Sequence, residues 1–172
     1  SASVKLPTAT LPGYTFLGWY DAATGGNKIG DAGDSYTPTA AKTLYAHWTA
    51  NKITVKFDGN GSTGGSMTDQ QFTYDTAQAL KSNGFSRAYT VTYNGNFSGK
   101  TPTLGATSQT ATYTFKNWNN AAAGNGSYTY TNGQTVTNPN GATSGTTYLY
   151  AQWNSASVKL PTATLPGYTF LG

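Results

Sequence analysis

Residues 1–18 and residues 155–172 are the same eighteen letters, SASVKLPTATLPGYTFLG. Chance does not repeat a string of that length, so the chain is read as a cut from a periodic array with a period of 154 residues (155 less 1). No other feature limits the fold so strongly. Each period must fold alone or against its neighbours, and whatever is said of one segment must also fit its copy.

A second repetition lies inside the period. Tyr14-Thr15-Phe16, then Trp19, leads to Leu44-Tyr45-Ala46-His47-Trp48, and Tyr113-Thr114-Phe115, then Trp118, leads to Leu149-Tyr150-Ala151-Gln152-Trp153. Both stretches write YTFxxW followed by LYAxW. A further pair, Ile53 to Asn60 and Tyr89 to Asn96, shares TVx[FY][DN]GN. Each of these reads as a strand. In ITVKF, Ile53, Val55 and Phe57 alternate with Thr54 and Lys56, and the Asx-Gly-Asn tails supply residues that tolerate positive φ in tight turns. Gln70–Tyr74 is a plausible return strand.

Composition agrees with strands joined by turns. Only 9% of residues are charged, all six acids are Asp, and without Glu long exposed helices are unfavourable. One segment, Asp75 to Gly84, breaks the rhythm: Asp75 can cap a helix, Ala77, Ala79 and Leu80 favour one, and Gly84 can end it. A helix of about two turns is expected there, dependent on packing against a sheet. The aromatic content of 14% calls for a real core. The absence of Cys excludes disulfides and thiolate metal sites.

At these residues the chain resembles a known family. GYTFLGWYDAATGG followed by LYAHW, and VKFDGNGSTGG followed by FTYDTAQAL, are similar to the Listeria–Bacteroides repeat, the B-repeat type of internalin surface proteins of Gram-positive bacteria. The resemblance covers nearly all of the chain. It implies an α+β, mostly β fold of tandem β-grasp-like units, each a sheet packed on one short helix. It also implies an extracellular, cell-wall-attached protein in which the repeats stand between a ligand-binding tip and the anchor. It implies no enzymatic activity.

On this basis residues 1–50 form a small unit with a shortened front half at 1–13. Residues 51–154 form a larger unit with an extra front half inserted at 89–112, and 155–172 begin the next period. A cysteine-free unit of 50 residues buries little surface, so it should lean on 51–154 or on its neighbour. A nested alternative completes 53–87 with the YTF unit that follows 154, but contiguous elements usually pair. The terminal copy, 155–172, is expected to fray, to pack on 51–154, or to swap with another molecule.

Candidates for chemistry are few, and most have a structural explanation. Trp19, Trp48, Trp118 and Trp153 sit at equivalent points of a repeated motif, which favours core over a sugar-stacking platform. His47 is the only histidine, yet its counterpart is Gln152, so it reads as a solvent-facing strand residue rather than a catalyst. Asp58-Gly-Asn60-Gly-Ser62 has the oxygen spacing of a calcium loop without the closing Glu. Asp21, Asn27, Asp31 and Asp34 form a loose Asx cluster, and turn-making explains both groups. Lys56 could serve an isopeptide bond only in a buried pocket. Leu6-Pro7-Thr8-Ala9-Thr10 is similar to a sortase signal but lacks its order. The sequence assigns no catalytic, cofactor-binding or metal-ligating residue and no cofactor.

The ten basic residues are scattered, which argues against nucleic acid, and no apolar run reaches the roughly 18 residues of a membrane span. The expected partners are neighbouring repeats of the same chain. The expected function is a stalk or spacer repeat of a surface adhesin. The alternative is an adhesion module whose exposed Tyr, Asn and Thr bind a host glycan or protein.

Overall fold

Thr- and Tyr-rich runs punctuated by Gly and Asn give short antiparallel strands. The computed structural model describes residues 2–172. In chain order its strands are β1 (Val4–Lys5), β2 (Tyr14–Tyr20), β3 (Lys28–Gly30), β4 (Ser35–Tyr36) and β5 (Tyr45–Ala50). Then come β6 (Lys52–Asp58), β7 (Gly64–Gly65), β8 (Gln70–Thr73), β9 (Gln78–Ala79), β10 (Phe85–Thr92) and β11 (Thr103–Leu104). The last are β12 (Ser108–Asn119), β13 (Thr129–Tyr130), β14 (Thr135–Val136), β15 (Gly145–Asn154) and β16 (Ala163–Thr164). Among the described residues there is no α-helix, only a 3₁₀ turn at Pro139–Gly141. The fold is mostly β.

The chain forms two compact units, each assembled from separated stretches. The first takes the chain up to Lys56, with Asp69–Lys81 and Gln134–Tyr148. In it β2 pairs antiparallel with β5 on one edge and β3 on the other, and β1 pairs with β4. β6 pairs with β8, setting Ile53 opposite Phe72 and Val55 opposite Gln70. Ile53, Val55, Phe72, Leu80 and Val136 are buried, while Lys56 is exposed, so the alternation in ITVKF is realised.

The expected helix over 75–84 does not form. Asp75 adopts a left-handed φ of 59°, and its N–H is taken by the Asn138 side chain at 2.7 Å. β9 pairs with β14, and the Leu80 N–H donates to the Gln134 carbonyl at 2.9 Å. The Gln70 amide brackets the segment, donating to Ala79 O and accepting from the Lys81 N–H. A two-turn helix is marginal in water, and these pairings, with Leu80 driven inside, outweigh its local propensity.

The second unit takes Phe57–Thr68, Ser82–Gly133 and Leu149–Gly172. Its backbone is β12, whose first half pairs with β10 from Tyr113–Arg87 to Ser108–Thr92 and whose second half pairs with β15. β13 adds to the end of β12, and β7 to the start of β10. Trp118 is fully buried at the centre, ringed by Phe57, Phe115 and Phe85 with centroids 5.0, 5.0 and 6.3 Å away. Leu149, Ala151 and Tyr130 complete this core. Truncating a buried aromatic of this kind costs about 3–5 kcal/mol.

Candidate functional site

The four tryptophans pose a problem of parity. Phe16 and Trp19 are three residues apart, so on a regular strand they would point to opposite faces. β2 solves this with a bulge between Phe16 and Gly18, which brings Trp19 back to the face of Phe16. The second copy bulges at the same place, between Phe115 and Asn117. On both sides of the bulge the registers agree: Phe16 faces Trp48 and Trp19 faces Ala46, as Phe115 faces Trp153 and Trp118 faces Ala151.

Each motif therefore clamps one phenylalanine between two indoles. Phe16 lies 5.5 Å from Trp19 and 5.3 Å from Trp48, and Phe115 lies 5.0 Å from Trp118 and 6.1 Å from Trp153. Tilted and edge-on contacts of this kind add about 0.5–1.5 kcal/mol each beyond burial. Trp19 Nε1–H donates to Pro7 O at 2.8 Å and Trp153 Nε1–H to Gly59 O at 3.0 Å. Trp118 is buried and the other three are half-buried.

The same equivalence accounts for the single histidine. His47 Nε2–H donates to Ala22 O at 2.8 Å, and Gln152 Nε2–H reaches Ala121 O and Ala122 O at 3.4 and 3.3 Å. Both side chains tie down the turn that follows the YTFxxW strand. His47 is not the solvent-facing residue expected from the sequence, because its ring is half-buried and stacks on Tyr20 at 3.8 Å. That turn also closes alike in both copies: Asp21 N–H donates to Asn27 O, and Asn120 N–H to Tyr128 O, each at 3.1 Å.

Comparison with known proteins reaches the first copy of this motif. Residues 1–47 match the Listeria-Bacteroides repeat domain. This stretch is a Listeria–Bacteroides repeat. Over 74 residues, 42% of its length, the chain is 47% identical to Internalin H of Listeria monocytogenes. Over 71 residues, 41% of its length, it is 35% identical to a protein of Evansella cellulosilytica described as a Gly-rich membrane protein. The chain spans only 13% and 8% of these two relatives. No solved structure matches it.

The remaining candidates in and around the repeat are turn and surface groups. Asp58 Oδ1 accepts from the Asn60 N–H at 2.7 Å, and Asn94 Oδ1 accepts from the Asn96 N–H at 2.8 Å. Asn60 and Asn96 share a left-handed φ of 46°, so TVx[FY][DN]GN closes with the same Asx turn twice. Asn60 then donates its amide to Ala122 O and Ala151 O. Asp21 accepts from both the backbone and the side chain of Asn27, which holds its carboxyl below the usual range. Asp34 caps the turn at Asp31, and Asp31 pairs with Lys28 at 2.7 Å. Among the described residues no cluster of three His, Cys, Asp or Glu side chains could hold a metal ion. Lys56 meets Asp69 at 2.9 Å in an exposed ion pair, and that hydrogen bond raises its pKa. An amine held charged in water is a poor nucleophile for isopeptide formation.

The two eighteen-residue copies fold alike only in part. Leu11 and Tyr14 form a bridge around Pro12-Gly13, as Leu165 and Tyr168 do around Pro166-Gly167. Upstream, Leu6 is 5% exposed beside β4, whereas Leu160 is 77% exposed. β16 in the later copy pairs with β11, and Tyr168 packs edge-on against Phe97 at 4.8 Å. The sequence had no signal for this choice of partner.

Proposed function

We propose that this chain is a period of a structural array: a stalk repeat of a bacterial cell-surface adhesin that holds a binding tip away from the cell wall and catalyses nothing. The duplicated aromatic framework carries the reading. In both motifs the indoles pack on a phenylalanine of the same motif, and Trp19 and Trp153 also donate their ring N–H to carbonyls of the chain's own loops. A sugar platform needs exposed ring faces, whereas these rings hold strands together. The match of residues 1–47 and the similarity to Internalin H support an extracellular, cell-wall-attached setting. In β-grasp terms, the strand-and-turn segment 75–84 would stand where the family places its short helix. Arrays of this kind keep stability local while length grows with copy number.

The test is binding. Immobilised chain screened against glycan arrays and host extracellular proteins should retain nothing in a saturable way. Displaying a tag on one, two and four periods should raise its accessibility with each added period. Saturable capture of one defined glycan or protein would overturn the stalk in favour of an adhesion module.

A further inference from the structure

We propose that the eighteen-residue segment is a two-sided clip that joins consecutive periods, its first third gripping its own period and its middle third gripping the period before it. The chain holds the segment twice, and each copy displays one of the two grips. In residues 1–18, Val4 and Lys5 pair with Tyr36 and Ser35, Leu6 N–H donates to Asp34 O at 2.9 Å, and Gly33 N–H donates to Leu6 O at 2.8 Å. All of these partners lie downstream in the same period. In residues 155–172, Ala163 and Thr164 pair with Leu104 and Thr103, and Gly105 N–H donates to Thr162 O at 2.8 Å. Those partners lie upstream, in the period already complete.

The two grips use different residues. Val4, Lys5 and Leu6 correspond to Val158, Lys159 and Leu160, whereas Thr162, Ala163 and Thr164 correspond to Thr8, Ala9 and Thr10. One copy can therefore make both. The exposure pattern agrees: Leu160 lies open where Leu6 is buried, and Leu11 is exposed where Leu165 is half-buried. Each copy leaves open the side that the other copy uses. Tyr14 and Tyr168 hold the position that is engaged in both settings, and they meet different neighbours. The Tyr14 hydroxyl donates to Asp75 at 2.9 Å and its ring meets Tyr74, while Tyr168 meets Phe97 edge-on with Lys100 Nζ 5.2 Å from its ring centre. Behind Tyr168 a cleft of about 420 Å³ runs between Phe97, Pro102 and Leu104 and the tail at Phe170 and Leu171. The occupant is thus a second period of this same chain, entering through its residues 8–14. The inference rests on the chain being a repeat array and not on the array being a stalk.

Two periods joined end to end, residues 1–154 followed by 1–172, test it. In the single chain, Leu104→Cys with Ala163→Cys, and separately Val4→Cys with Tyr36→Cys, place thiols at directly opposed strand positions and should oxidise to internal disulfides. In the two-period chain the shared copy should form both at once: one back to Leu104→Cys of the first period, one forward to the second period's counterpart of Tyr36→Cys. Peptide mapping that finds either bridge but never both in one molecule overturns the clip, as does failure of the Leu104–Ala163 bridge in the single chain. Amide exchange on the unsubstituted two-period protein, with segmental isotope labelling, gives an independent readout. The Leu160 amide should slow to the rate of Leu6 while Gly105 stays protected. A fast Leu160 amide, or loss of Gly105 protection, refutes the proposal. A ligand captured in the binding screen would leave these outcomes unchanged, so the two readings fail separately.

Discussion

Leu6 and Leu160 are the same residue in the same local sequence, which makes them an internal control for the role of surroundings. Leu6 is 5% exposed, and its Cδ1 would come within 2.9 Å of a Cβ placed on Gly30. Leu160 is 77% exposed. Truncating a buried Leu to Ala costs about 2–5 kcal/mol, with the lower end where the neighbours can close in. Leu6 borders an open cleft with Val4, Tyr36 and Leu44, so its walls can relax, and about 2–3 kcal/mol is expected for Leu6→Ala. For a chain of this size each kcal/mol moves the midpoint by about 2–4 °C, giving a fall of roughly 4–12 °C. Leu160→Ala should stay within about 0.5 kcal/mol, or roughly 2 °C. Thermal melts followed by circular dichroism, with urea midpoints as a second measure, resolve such a difference. Equal shifts in the two variants, or the larger one at Leu160, would refute the claim that β4 creates the Leu6 site.

Other consequences are as direct. Gly13 and Gly167 share a φ of 82° and 83°, so each Ala substitution carries about 1–2 kcal/mol of backbone strain, but at Gly13 the new methyl also collides with the Tyr74 ring. Gly13→Ala should therefore melt lower than Gly167→Ala, and matching midpoints would count against the packing at Tyr74. His47→Gln should lie within about 0.5 kcal/mol of the parent, because Gln152 already performs the same task, whereas His47→Ala should lose about 1–2 kcal/mol. Urea midpoints that rank them otherwise dismiss the equivalence. Asp21, whose carboxyl is held low chiefly by the Asn27 backbone N–H, contributes stability that is full above about pH 4 and disappears as pH falls through its folded pKa. Asp21→Asn should therefore weaken the acid dependence of the melting midpoint below about pH 4. Parallel curves for parent and variant would sink that assignment.

The strand pattern was legible because alternation in ITVKF and LYAxW is a one-dimensional signal that burial simply reads out. Ile53, Val55, Leu149 and Ala151 are buried as that alternation requires. The bulge in YTFxxW was legible in principle, since two aromatics three apart on one strand can share a face only if a residue is extruded. Segment 75–84 misled because helix propensity is local, while the competing partners, Gln70, Gln134 and Asn138, come from distant parts of the chain. Neither could the sequence show that β11, a bare Thr-Leu pair followed by Gly, receives β16, since no residue type marks such a ribbon. The scattered make-up of the two units has the same origin: their boundaries are set by pairings between Lys52–Val55 and Gln70–Thr73, or Thr135–Val136 and Gln78–Ala79, far apart in sequence.

The Leu-Pro-Gly-Tyr corner closes identically in both copies, with the Tyr N–H 3.1 Å from the Leu carbonyl, although everything around it differs. Its shape is written into four residues and waits for no neighbour. During synthesis each fresh connector would favour the same bend whichever neighbour it later meets, so less ordering is left for docking. A long filament could then be assembled as it is translated, one hook at a time, with little chance for distant copies of the same sequence to engage out of turn.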